Sequence, residues 1–305
     1  MPRRFFTLDV FADTPLAGNP LAVVIDAAGL DAGAMQRIAR EFNLSETVFV
    51  LPPENRRHRA RIRIFTPGLE MPFAGHPTVG TAVLLASLDH PDAIDGDEPT
   101  DILFGLEETI GIVPCAVTLG GGRAFARFEL PKLPERDGEA KDDDRLARAL
   151  GLEAGDIGFD NHRPTVYSAG FPYSLVPVRD LAALGRIRID TSVWKETFGQ
   201  EGLGAAYAYT RETALPGSAF RARMFSPGDG IPEDPATGSA VAAFAGAVMA
   251  FEAPADGNHR LRIEQGFEMG RPSLIDLSLT VVDGRLIGAA ISGAAVIVGE
   301  GVLRV

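Results

Sequence analysis

The chain has 305 residues, 46% hydrophobic and 23% charged, with 34 Gly and 22 Pro: length for one large domain or two ordinary ones, and breakers enough to argue against a helical bundle. A net charge of −12 argues against nucleic acid as a partner, while a small acidic substrate stays open because a local site can oppose the global field. The single cysteine, Cys115, excludes an intramolecular disulfide framework and a cysteine-based metal cluster, and is compatible with a reducing cytoplasm.

In chain order, MPRRFFTLDVFADTP has two arginines but no apolar leader core before Asp9, so no targeting segment is expected. GAMQRIAREFN (33–43) has helical spacing, with Met35, Ile38, Ala39 and Phe42 as its apolar face. LSETVFVLP (44–52) reads as a strand. On it Glu46 shares a face with Leu44, Val48 and Val50, which places it either at a solvated strand start or in a desolvated position suited to acid/base work. ENRRHRARIR (54–63) contains many arginines, but ARIRIF (60–65) alternates, and so does FRARMF (220–225), so both read as half-buried strands and not as a nucleic-acid patch. DHPDAIDGDEPTD (89–101) reads as an acidic surface loop. IGIVPCAVTLGGGRAFARFELP (110–131) reads as a hairpin turning at GGG; with no Lys-Ser/Thr pair and no helix after it, that Gly run is not a phosphate loop. LPERDGEAKDDDRLARALGLEAGD (133–156) reads as a solvated connector with one helix, and 277–305 as further short strands with Gly turns.

Two stretches, PTVGTAVLLASL (77–88) and PATGSAVAAFAGAVMAF (235–251), are apolar nearly all round and must be buried on all sides. The longest apolar runs, Ala240 to Phe251 and Leu286 to Gly299, fall short of the ~20 residues that span a bilayer. No membrane association is expected.

An internal repeat organises these elements. Arg61, Arg63, Phe65, Pro67, Gly68 and Pro72 recur as Arg221, Arg223, Phe225, Pro227, Gly228 and Pro232. GTAV (80–83) then matches GSAV (238–241), and AGNPLAVV (17–24) echoes AGFPYSLV (169–176). The order and spacing imply two copies of one plan, each about a domain long. A buried small-residue helix in each copy suggests a helix threaded through a curled, mostly antiparallel sheet, giving an α+β fold of two pseudosymmetric barrel-helix domains with a cleft between them.

The starts of these helices invite chemistry. Asp234-Pro235 fits an N-cap followed by the first helical position, so capping is one reading of Asp234 and chemistry the other. Gly75-His76-Pro77 holds the matching place; His76 is a hydrogen-bonded structural histidine or a site residue, and Ser239 a packing or a site residue. A helix start facing a cleft offers free N–H donors and partial positive charge, apt for a carboxylate or a developing enolate.

Taken together, DVFADTPLAGNPLAVV (9–24), NLSETVFV (43–50), RIFTPGLEMPFAGHPTVGTA (63–82), RMFSPGDGIPEDPATGSA (223–240) and EQGFEMGRPS (264–273) resemble the PhzF-like isomerases related to phenazine biosynthesis. Their fold is similar to that of diaminopimelate epimerase. The resemblance spans nearly the whole chain. It implies a first domain of 1–132 with 286–305 and a second of 133–285. By resemblance, Glu46 shuttles a proton, His76, Asp234 and Ser239 join it in the catalytic set, and backbone N–H groups near Gly75 and Gly238 hold the substrate carboxylate. No cofactor or metal is implied, and a cytoplasmic homodimer is. Related racemases that use two opposed cysteines are excluded by the single Cys115; epimerisation by one base is not. The expected function is a cofactor-independent acid/base isomerase of a small carboxylate-bearing metabolite. A catalytically silent small-acid-binding or regulatory protein, and a hydro-lyase using the same site, are the alternatives.

Overall fold

The computed structural model describes residues 2–199 and 204–305, which divide into two units: up to Pro131 together with Ile291–Val305, and Lys132–Ala290.

The first unit contains β1 (Pro2–Val10), β2 (Asn19–Val24), α1 (Ala32–Phe42), β3 (Glu46–Leu51), β4 (Ala60–Phe65), β5 (Glu70–Met71), α2 (Gly75–Asp89), β6 (Thr100–Glu108), β7 (Gly111–Gly120) and β8 (Arg123–Glu129). The second unit contains β9 (Glu135–Arg136), α3 (Asp143–Leu150), β10 (Thr165–Ser168), β11 (Pro172–Pro177), α4 (Leu181–Arg186), α5 (Thr191–Phe198), β12 (Ala206–Thr210), β13 (Phe220–Ser226), β14 (Ile231–Asp234), α6 (Gly238–Phe251), β15 (Gly257–Gln265) and β16 (Ser273–Val282). A long final strand, β17 (Arg285–Arg304), starts in the second unit and ends in the first.

In the first unit the strands close into an eight-membered ring, β17-β1-β2-β3-β4-β6-β7-β8 and back to β17. Hairpin neighbours such as β1–β2, β3–β4, β6–β7 and β7–β8 run antiparallel. The pairs β2–β3 and β4–β6 are parallel, and parallel neighbours need a crossover. The chain supplies α1 for the first and α2 for the second. α1 is amphipathic, capped by Asp31 and buried through Met35, Ile38 and Ala39. α2 is apolar on every side, so it goes inside the ring and touches β8, β7, β1, β2 and β3. Gly80 makes that enclosure possible: a Cβ there would come within 2.7 Å of both Leu21 and Val10 side chains.

The second unit repeats the scheme. Its parallel pairs are β11–β12, with α4 and α5 in the crossover, and β13–β15, with β14 and α6 in the crossover. α6 is buried from Ala240 to Val248 and packs on β10, β11 and β16. The two copies also share bidentate ion pairs, Arg63–Glu70 at 2.6 Å in the first and Arg223–Glu233 at 2.7 and 2.8 Å in the second.

The expected helix at 33–43, strand at 44–52 and hairpin at 110–131 are present as α1, β3 and β7–β8. Gly121 and Gly122, at φ 59° and 71°, make the hairpin's left-handed turn. Two expectations need correction. The 133–156 segment is not simply a solvated connector: Leu146, Ala149 and Leu150 of α3 are buried against Trp194, Phe198 and Phe225. The segment after the 283–284 turn forms one 20-residue strand and not several short ones, because the glycines within β17 sit in extended backbone and do not turn the chain. No helix among the described residues is long and apolar enough to cross a membrane.

Candidate active site

Glu46 opens β3, and the parallel pairing of β2 with β3 sets Leu21 opposite it. His76 is the second residue of α2 and only 3% exposed. Its Nδ1 lies 3.4 Å from Glu46 Oε2 and 3.3 Å from the amide nitrogen of fully buried Asn19, the first residue of β2. Burial pushes the His76 pKa down to about 3, so the ring is neutral at physiological pH. With Asn19 donating, Nδ1 accepts and the ring proton sits on Nε2. The single Nδ1 lone pair is then taken, so Glu46 Oε2, 3.4 Å away, faces the ring edge as a close neighbour and not as its hydrogen-bond partner. His76 Nε2 is buried and has no hydrogen-bond partner among the described residues.

The start of α2 carries no side-chain cap: Ala74 is the N-cap. The N–H groups of Gly75 and His76 therefore belong to the unsatisfied donors of a helix start. Burial there raises the value of each as an anion ligand.

In the second unit, Asp234 is the last residue of β14 and 4% exposed. α6 begins at Gly238, with Thr237 as its N-cap, so the expected Asp234-Pro235 cap is not what forms. The Asp234 side chain instead accepts from the Thr237 hydroxyl at 2.5 Å. The reason is a buried glutamine. Gln265 accepts from the Thr237 N–H at 3.1 Å and donates to the Asp234 carbonyl at 2.8 Å and to Thr237 Oγ1 at 2.9 Å, holding the 234–237 segment out of helical form. Ser239, in the first turn of α6, shares a 2.7 Å hydrogen bond with the Tyr173 hydroxyl from β11.

Glu46 and His76 thus lie together in the first unit, and Asp234 and Ser239 at the start of α6 in the second. Sequence reading passed over Asn19, Tyr173, Thr237 and Gln265. A signal existed for the first two, since they sit in the echoing stretches AGNPLAVV and AGFPYSLV. Gln265 is the last residue of β15 and reaches its partners only through sheet pairing.

Residues 8–301 match the family model described as phenazine biosynthesis-like protein (PhzC-PhzF). A protein of Mesorhizobium japonicum described as an uncharacterized isomerase is 55% identical over 99% of this chain and 98% of its own. The trans-2,3-dihydro-3-hydroxyanthranilate isomerase of Pseudomonas aeruginosa is 35% identical over 98% of each chain. Among solved structures, a PhzF family protein of Bacillus anthracis superposes with a TM-score of 0.87 over 100% of both chains at 28% identity. Family, fold and the named activities of these relatives agree: the chain belongs to the phenazine biosynthesis-like protein family and is an isomerase.

Proposed function

We propose that the protein moves a proton within a small carboxylate-bearing metabolite, with Glu46 as the proton carrier. The observation that carries this reading is the Glu46 carboxyl 3.4 Å from the neutral His76 ring, at the uncapped start of an enclosed helix. Glu46 removes a proton from a carbon next to an unsaturated or carbonyl-bearing centre. Charge accumulates in the π system, and N–H groups at Gly75 and Gly238 stabilise it together with the substrate carboxylate. The proton returns at another carbon, with Asp234 assisting and Ser239 and His76 orienting the substrate. The scheme calls for no metal and no redox cofactor, since the shift is neutral in electrons. A cytoplasmic homodimer completes the reading.

The 35% identical relative that isomerises trans-2,3-dihydro-3-hydroxyanthranilate supports this class of reaction. It does not select that substrate here, because pocket shape sets specificity. The test is incubation of the protein in deuterated water with that compound and a panel of small unsaturated and α-substituted carboxylic acids, followed by NMR. Deuterium entering carbon together with a shifted double bond or inverted centre is the expected result. Tight binding of several acids with no exchange into any of them contradicts the proposal and leaves a binding protein. Loss of water accompanying exchange would show a hydro-lyase instead.

A further inference from the structure

Glu108 ends β6 and is buried, yet none of the chemistry above uses it. Its Oε1 lies 2.8 Å from the hydroxyl of Thr78, in the first turn of α2. The same hydroxyl lies 2.8 Å from the carbonyl oxygen of Ala74, the N-cap. A threonine hydroxyl has one proton. The Ala74 carbonyl can only accept, and it also takes the Thr78 N–H at 3.2 Å; with the hydroxyl proton directed to it, the proton between Oγ1 and Oε1 comes from the carboxyl. Glu108 Oε2 has no hydrogen-bond partner among the described residues. A carboxylate would leave that buried oxygen charged and unsatisfied, whereas a carboxylic acid leaves only a weak acceptor.

The second copy solves the same problem with an amide. Arg61 pairs with Glu107 across β4 and β6, and the repeat partner Arg221 pairs with Glu264 across β13 and β15. The next residues, Glu108 and Gln265, therefore hold equivalent places. Gln265 donates from its amide nitrogen to the Thr237 hydroxyl, which in turn donates to the Asp234 carboxylate. A protonated glutamate has the shape and the donor–acceptor pair of a glutamine. We infer that Glu108 is a positioning residue, whose neutral carboxyl donates to Thr78 and so fixes the Ala74 carbonyl and the Gly75-His76 helix start as Gln265 fixes the start of α6. The structural part stands on these contacts; its bearing on turnover rests on the proton-transfer reading above.

Burial of the carboxyl pushes its pKa up to about 8, against a lowering by the Thr78 hydroxyl. The groups around it do not reverse this. Cys115 on β7 is buried, its thiol pushed up by burial and by Glu108 itself. His76, two residues before Thr78, is neutral. Arg61 and Arg63 of β4 share a surface cavity with Glu108, but each holds its own carboxylate, Glu54 and Glu70 respectively. Glu107, next on the strand, pairs with His58.

The sign of the pH effect follows. The unfolded chain releases this proton near the ordinary value of 4.5 and the folded one near 8. Folding is therefore unaffected by the group below 4.5 and weakens as pH rises from there to 8.

The experiment compares the native protein with Glu108→Gln and Glu108→Ala. Relative to Glu108→Gln, the native folding equilibrium constant should fall about tenfold per pH unit between about pH 4.5 and 8. The turnover of the native protein should drop above pH 8, while Glu108→Gln keeps native turnover at pH 7 within about threefold and loses that alkaline drop. Glu108→Ala should lose turnover at all pH values. A stability difference that does not grow with pH overturns the inference, as does a folded Glu108→Gln as inactive as Glu46→Gln. Should Glu108→Gln not fold, ¹³C NMR of the native protein labelled at glutamate carboxyls decides: one buried signal must titrate near pH 8, and its absence overturns the inference. The stability and NMR readings need no substrate, so failure to find turnover would refute the isomerase reaction without touching this conclusion.

Discussion

His76 and Ser239 show how neighbours set the chemistry of a single side chain. Enclosed beside Asn19, the His76 imidazole titrates near 3, so it works as a neutral donor and acceptor and not as a cation. Its ¹⁵N resonances should report a neutral ring at pH 5; an imidazolium signature there would contradict the assignment. The unfolded chain protonates this histidine near 6.5 and the folded one near 3, so its contribution to stability is complete above 6.5 and declines as pH falls through that interval. Tyr173 holds the Ser239 hydroxyl at 2.7 Å. A neutral hydrogen bond is worth ~1 kcal/mol, which in the orientation of Ser239 corresponds to about fivefold in rate, so Tyr173→Phe should slow turnover about fivefold with its melting temperature lowered by no more than a few degrees. Native kinetics in that variant would return the Tyr173–Ser239 contact to packing alone.

At the level of elements, the enclosed helices tolerate no added volume where they meet the wall. A Cβ on Gly246 would sit 2.2 Å from the Tyr167 ring. Gly246→Ala should therefore destabilise the protein by ~1–3 kcal/mol despite alanine's better helix propensity, a loss that thermal unfolding would register and that an unchanged or raised melting temperature would refute. Carboxylates also anchor loops to strands in both copies. Glu107 accepts from the N–H groups of Asn55 and Glu54, and Glu264 from those of Ala214 and Leu215. The Asn55 and Glu54 N–H groups hold Glu107 down to about 2. Its stabilising effect is full above the unfolded value of 4.5 and is lost as pH falls through 2, so Glu107→Gln should flatten the acid side of the stability profile. A profile identical to native would remove Glu107 from the loop's anchorage. The helices, the hairpin and the alternating Arg strands were legible in the sequence because each is written in local periodicity and turn residues. The start of α6 was not, because Gln265 dictates it from a strand 28 residues away. The burial of α3 was hidden too, since its Asp-rich N-terminus caps the helix while Leu146 and Leu150 face the core.

Across the whole molecule, the duplication was visible as repeated Arg, Phe, Pro and Gly positions, and the structure carries it through strand order, parallel crossovers and ion pairs. What the residues alone could not supply was proximity. Glu46 meets His76 because β2 pairs parallel with β3 and α2 runs within the same ring, pairings that no local pattern encodes. The most direct test of the account is the rate of solvent deuterium entry into a bound acid's carbon in Glu46→Gln against the native protein, with binding of that acid measured in both. The amide keeps the size of the side chain but cannot take a proton. Exchange should fall by ~10²–10⁴ while affinity stays within a few-fold. Exchange at the native rate in a correctly folded Glu46→Gln would contradict the assignment of Glu46 as the proton carrier.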